Sequence, residues 1–167
     1  MEALIVIDMQ NDYFPGGRFP LKGIKKAAKN AQRLVERFRA EGKPVVFVRH
    51  ESIREGSAFF LPGTGGAEFH PSLLPANDDI VILKHYPNSF RETGLTETLK
   101  GLGVTELHVA GAMTNMCVDS TVRAAFDFGF AVTLHGSACA ARGFLGTPLV
   151  HVISLKTLGA AFATVTD

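Results

Sequence analysis

Charge of one sign, long apolar runs and cysteine are what this sequence has least of, and each shortage excludes a class of protein. Seventeen Lys and Arg against 16 Asp and Glu leave a net charge of +1. That balance excludes nucleic-acid backbone binding as the main business. No segment reaches the roughly 18 consecutive apolar residues that a membrane span needs, so no membrane partner is expected. Residues Met1 to Asp8 have no basic segment and too short an apolar run for a secretory signal, and a cytoplasmic location is the resulting expectation. Two cysteines, Cys117 and Cys139, cannot build a disulfide framework, so at least one is free for chemistry. Apolar residues, by contrast, make up 46% of the chain and charged residues 20%, which rules out intrinsic disorder. The 167 residues fit one domain over 1–167, large enough to bury roughly 70% of its unfolded surface.

Short apolar runs alternate with helical spacing. Leu4–Ile7, Val45–Val48, Ile80–Leu83, Leu107–Ala110, Phe130–Leu134 and Ala161–Val165 read as six strands. Between them, Ile24, Ala27, Ala28, Ala31, Leu34, Val35 and Phe38 fall on one helical stripe. Lys22, Lys25, Lys26, Lys29, Arg33 and Arg37 read as its solvated face. Further helices are expected over Glu92–Leu102, Met116–Phe128 and Val150–Leu158, the last preceded by a break at Gly143, Gly146 and Pro148. Strands apolar throughout, alternating with helices, specify an α/β fold in which a parallel sheet of six strands is covered by helices on both faces. About 30 residues between Val48 and Ile80 carry no clear element, and a loop of that length is read as covering a substrate. Its Pro62-Gly63-Thr64-Gly65-Gly66 stretch is no phosphate cradle, because neither a GK[ST] signature nor a helix follows.

Ligands of parallel sheets bind beyond the carboxyl ends of the strands. Asp8 follows the first strand, Lys84 the third, and Gly111 to Cys117 the fourth. A carboxylate, an ammonium and a thiol therefore converge on one sheet edge. Cys117 falls at a helix start with Thr114 or Asn115 as cap, a placement expected to lower a thiol pKa. Cys139 reads as a small core thiol. Asp8 and Lys84, each directly after an apolar strand, are costly to bury without a partner, and each can be the other's.

Asp8-Met9-Gln10-Asn11-Asp12-Tyr13, Lys84 with Ser89-Phe90, and Gly111-Ala112-Met113-Thr114-Asn115-Met116-Cys117-Val118 with Thr121 together resemble the three motifs of the isochorismatase-like cysteine hydrolases. The resemblance runs from residue 3 to about residue 142. It implies a three-layer, doubly wound (Rossmann-like) six-stranded parallel sheet with the first and fourth strands adjacent at the switch point, and a catalytic triad of Asp8 as base, Lys84 as electrostatic support and Cys117 as nucleophile. It also implies a cis peptide at Ala112–Met113, with the amides of Met113 and Cys117 aimed at a developing oxyanion, and a homo-oligomer.

The nicotinamidases among these hydrolases carry an Asp-x-His metal-ligand pair after the second strand. Here that stretch is Val48-Arg49-His50-Glu51-Ser52, leaving only His50 and His70 as possible ligands, and no metal is expected. Ser137 stands where the family usually carries an acidic residue, before Ala138-Cys139-Ala140-Ala141-Arg142. The expected activity is hydrolysis of a small amide or related C–N bond through a thioester, without a cofactor. Its pocket would be lined by Tyr13, Phe19, Met113 and Met116 and would take a small molecule. The alternatives are vinyl-ether hydrolysis of the isochorismatase type and an inactive interaction or assembly module.

Overall fold

The computed structural model describes residues 1–143 and 148–167. Gly146, part of the glycine-rich break, lies outside them. Six strands, β1 (Glu2–Ile7), β2 (Val45–His50), β3 (Ile80–Lys84), β4 (Glu106–Ala112), β5 (Ala131–Ala140) and β6 (Thr164–Thr166), form one sheet in the order β3-β2-β1-β4-β5-β6. Every neighbouring pair is parallel. The helices are α1 (Ile24–Ala40), α2 (Leu95–Gly101), α3 (Asp119–Asp127) and α4 (Leu149–Ala161). Among the described residues no helix is long and apolar enough to cross a membrane.

Alternation along β1 explains why its sequence is apolar throughout. Leu4 and Val6 point into a core shared with α1, where Ile24, Ala27, Ala28, Ala31, Val35 and Phe38 are buried. Ala3, Ile5 and Ile7 point the other way, against Leu95 and Leu99 of α2, Val122 and Ala125 of α3, and Leu158 of α4. A strand covered on both faces has no polar face to show. Gly42, at φ +65°, follows α1 and lets the chain turn back towards β2. At the centre of the sheet Gly111 of β4 pairs with Ile7 of β1. A Cβ at Gly111 would lie 2.2 Å from the Ile7 carbonyl oxygen, so only glycine permits this approach.

Four expectations change in detail. β3 is an edge strand, and Val81 and Leu83 face solvent while Ile80 and Ile82 pack inward; an apolar run alone does not reveal that one face is uncovered. The second helix begins at Leu95 rather than Glu92, which takes a left-handed φ of +54°. The last strand starts at Thr164 because α4 continues to Ala161. β5 also runs on to Ala140, its register stepping from Val109↔Leu134 to Gly111↔Cys139.

Candidate active site

The strand order reverses at β1, whose neighbours are β2 and β4, and the candidate site residues gather beyond its carboxyl end. Asp8 follows β1 directly with φ +51°, a conformation Asp tolerates better than most residues. Its N–H donates to the Val48 carbonyl (3.0 Å) and its carbonyl accepts from the Gln10 N–H (2.9 Å), so the turn is fixed on both sides. The side chain is fully buried.

Lys84 closes the edge strand β3, two strands away from β1. Strands lie about 4.8 Å apart, so only a long side chain can cross β2 and reach Asp8. Its ammonium donates to Asp8 Oδ2 at 2.8 Å, and both side chains are 0% exposed. The same Nζ lies 2.8 Å from Nδ1 of His50, the residue beside Lys84 in the β2–β3 register. Burial works against the Lys84 charge, but Asp8 and Cys117 outweigh it and hold the ammonium above its ordinary pKa. Burial and the adjacent ammonium push the His50 imidazole down to about 4. His50 is therefore neutral at pH 7, its Nδ1 accepts from Lys84, and its proton sits on Nε2.

Cys117 lies in a π-type turn, Thr114–Val118, that leads into α3. The Met116 and Val118 N–H groups both donate to the Met113 carbonyl, and the Ala112–Met113 peptide is cis. The expected capping is absent: Thr114 Oγ1 pairs with His151 Nδ1 at 2.8 Å, and Asn115 Oδ1 is buried without a partner among the described residues. The expected lowering of the thiol pKa is overturned as well. Burial first, then the Asp8 charge, push Cys117 up to about 12 against the opposing pull of Lys84. The resting group is a neutral thiol. Asp8, His50 and Cys117 bring ligand-type atoms within 4.8 Å of one another. Asp8 Oδ1 has no hydrogen-bond partner among the described residues, which leaves an oxygen free to receive a proton.

Of these groups His50 and Cys117 line the floor of a cleft of about 710 Å³ whose walls include Tyr13, Met113 and Met116, while Asp8 and Lys84 are fully buried. Phe19, expected beside them, is not among the lining residues; it stacks on Phe59 at 4.5 Å and supports that ring from behind. The wall is instead made by Phe59 and Phe60 from the long β2–β3 segment, which supplies residues 52–60 of the lining, and by Tyr86. Asp12 holds that segment in place, its Oδ2 accepting the Phe60 N–H at 2.7 Å and its Oδ1 the Arg18 N–H at 3.1 Å. An adjacent Phe pair within a polar, glycine-rich segment was the available sequence signal for this wall. Ser89 and Thr121 lie outside the cleft and bond to each other (Oγ···Oγ1, 2.8 Å), tying the segment after β3 to α3.

A divalent cation does not fit this constellation. A metal on Asp8, His50 and Cys117 would share its space with the Lys84 ammonium, already 2.8 Å from two of the three. His70 is no further ligand here, since it stacks on Phe14 at 3.6 Å and pairs with Ser72 Oγ.

Residues 2–167 match the isochorismatase domain. The isochorismatase family protein YddQ of Bacillus subtilis is 43% identical, covering 98% of this chain and 94% of its own. Streptothricin hydrolase of Streptomyces noursei is 32% identical over 89% of this chain, which spans 52% of that larger protein. An isochorismatase structure from Pseudomonas putida superposes with a TM-score of 0.90 at 35% identity, covering 99% of this chain and 87% of its own. The zinc complex of the Pyrococcus horikoshii pyrazinamidase superposes at 0.88 with 27% identity, covering 99% and 98%.

Proposed function

This chain belongs to the isochorismatase family of hydrolases, and from that premise we propose that it cleaves a small amide or related C–N bond through a thioester on Cys117. The observation that carries the reading is the buried Lys84–Asp8 pair at 2.8 Å with the Cys117 thiol beside it on the cleft floor. Asp8 takes the thiol proton as Sγ bonds to the substrate carbonyl carbon. Before transfer the site holds one carboxylate and one ammonium; afterwards it holds a neutral acid and the ammonium, with the negative charge carried by the sulfur and, once the S–C bond has formed, by the former carbonyl oxygen. The buried charge stays balanced throughout, which is what allows a thiol with so high a resting pKa to react. Backbone N–H groups of Met113 and Cys117 hold the oxyanion. Collapse expels the amine with the proton held by Asp8. Water, deprotonated by Asp8, then cleaves the thioester and releases the acid.

The amide preference draws support from relatives named streptothricin hydrolase, ureidoacrylate amidohydrolase and pyrazinamidase. The aromatic and thioether walls suit a small, flat, largely apolar acyl group. The test is product release across a panel of small amides, ureas and chorismate-type vinyl ethers, with hydroxylamine present to intercept a thioester as hydroxamate. Amide or urea cleavage with hydroxamate supports the proposal; cleavage of the vinyl ether alone overturns it.

We also propose a homo-oligomer in the cytoplasm. Two unpaired, buried cysteines suit a reducing compartment. Helix α4 exposes Leu149, Val152 and Ile153, an apolar patch of the kind that self-association covers. Light scattering should give more than one chain mass, and Ile153→Glu should reduce it; a monomer at all concentrations contradicts self-association.

A further inference from the structure

His50 is accounted for neither as a metal ligand nor as a member of the triad, yet its placement is tightly determined. The Gln10 side chain grips its backbone from both sides: Oε1 accepts the His50 N–H at 2.8 Å and Nε2 donates to the His50 carbonyl at 2.8 Å. A second bond from Gln10 Nε2, to the Ala67 carbonyl at 2.7 Å, anchors this clamp in the β2–β3 segment. The clamp sits at the β2 position paired with Lys84, and the imidazole presents Nδ1 to the ammonium at 2.8 Å. A chain of fixed contacts thus runs from Gln10 through His50 and Lys84 to Asp8 and the thiol.

We propose that His50 is a positioning residue for the nucleophile: it takes one N–H of the Lys84 ammonium as a neutral acceptor, so that the remaining N–H is held for the Cys117 sulfur. An ammonium has three donors. Asp8 Oδ2 takes one and His50 Nδ1 a second. A buried donor left without an acceptor is costly, so something must receive the second. A carboxylate would satisfy it equally well but would add a second negative charge beside the sulfur. The single ammonium would then be shared between two carboxylates and a forming thiolate, and the thiolate would be disfavoured. A neutral imidazole satisfies the donor without that charge. The fall of its pKa to about 4 keeps it neutral under working conditions, with burial as the main cause and Lys84 second. The titratable groups facing the trio are Tyr13 from the segment after β1, with Asp12 beside it, and His85 after β3. Burial, with Cys117, Asp8 and Asp12 nearby, holds the Tyr13 phenol well above its ordinary value, so it too stays neutral.

The inference rests on the reading of Cys117 as nucleophile, and its test needs no substrate. The quantity measured is the second-order rate of iodoacetamide alkylation at Cys117 in the intact protein at one mildly alkaline pH, mapped by peptide mass spectrometry. His50→Asn keeps a neutral acceptor near the Nδ1 position and should alkylate within about twofold of wild type. His50→Asp has the same shape with a charge, and a like charge at this range shifts a pKa by about one unit or more, so alkylation should slow about tenfold. His50→Leu has no acceptor and should also be slower than wild type. A purely structural role predicts the opposite sign for His50→Leu, because a loosened cleft exposes a buried thiol and speeds its reaction. Equal rates for His50→Asn and His50→Asp, or a rate for His50→Leu at or above wild type, would overturn the proposal. Lys84→Met separates this failure from failure of the underlying reading. If it too leaves the rate unchanged, the ammonium does not support the sulfur at all. If it slows the reaction while the His50 variants do not, only the role of His50 is wrong.

Discussion

Lys84 Nζ lies 2.8 Å from Asp8 Oδ2 with both side chains removed from water, although Lys84 belongs to an edge strand and Asp8 to the centre of the sheet. Breaking a buried pair by deleting one partner costs about 3–5 kcal/mol, because the other charge is left uncompensated. Lys84→Met keeps most of the apolar stem and removes only the charge. We expect a large loss of stability in denaturant titration, and loss of activity. The double variant Asp8→Asn/Lys84→Met removes both charges and should recover much of the stability but none of the activity. Equal stability of the single and double variants would mean that the pair is not coupled.

The sign of the pH dependence follows from the same residue. Burial lowers the Lys84 pKa, and Asp8 and Cys117 together more than restore it, leaving it raised in the folded state. A raised pKa contributes stability fully below the unfolded value of about 10.4 and loses it only as pH rises through the folded one. Between neutrality and pH 9 the contribution of Lys84 should therefore be flat. A steep loss of stability in that window, absent from Lys84→Met, would contradict the assignment.

Activity should be indifferent to metal. The ammonium occupies the space between Asp8 and His50 that a divalent ion would need. Dialysis against a chelator should leave turnover unchanged, and added Zn²⁺ should not raise it. One tightly held metal per chain, lost together with activity, would contradict this.

Asp12 shapes the cleft without touching the reacting groups. Its carboxylate accepts the backbone N–H groups of Phe60 and Arg18, and a buried donor left unpaired costs about 1–3 kcal/mol. Asp12→Ala should lower stability by that order and raise KM more than it lowers kcat, because the Phe59–Phe60 wall moves while the trio stays. An effect confined to kcat would place Asp12 in the chemistry instead.

Much of this was legible in the sequence because strand ends in a parallel sheet converge by topology. The apolar runs before Asp8 and Lys84 marked those residues as buried charges at one edge, and strand–helix alternation marked the parallel sheet, whose order came from the family resemblance alone. What was not legible depends on neighbours distant in sequence. Cys117 near a helix start suggests a lowered thiol pKa, but burial and Asp8 push it up. Phe19 is aromatic and close in sequence to Tyr13, yet Phe59 stands between it and the cleft. His50 reads as a possible ligand until the register beside Lys84 is known. The apolar run of β3 does not say that one of its faces is open.

Cys117 is the nucleophile of the proposed mechanism. Its side chain is buried beside Asp8, so Cys117→Ala removes one sulfur from a packed site and should leave the fold intact, as circular dichroism would show. On any panel amide the wild type cleaves, we expect turnover to fall about a thousandfold or more, the scale on which removal of a nucleophile reads. Retention of more than a few per cent of wild-type turnover by folded Cys117→Ala would contradict the thioester mechanism.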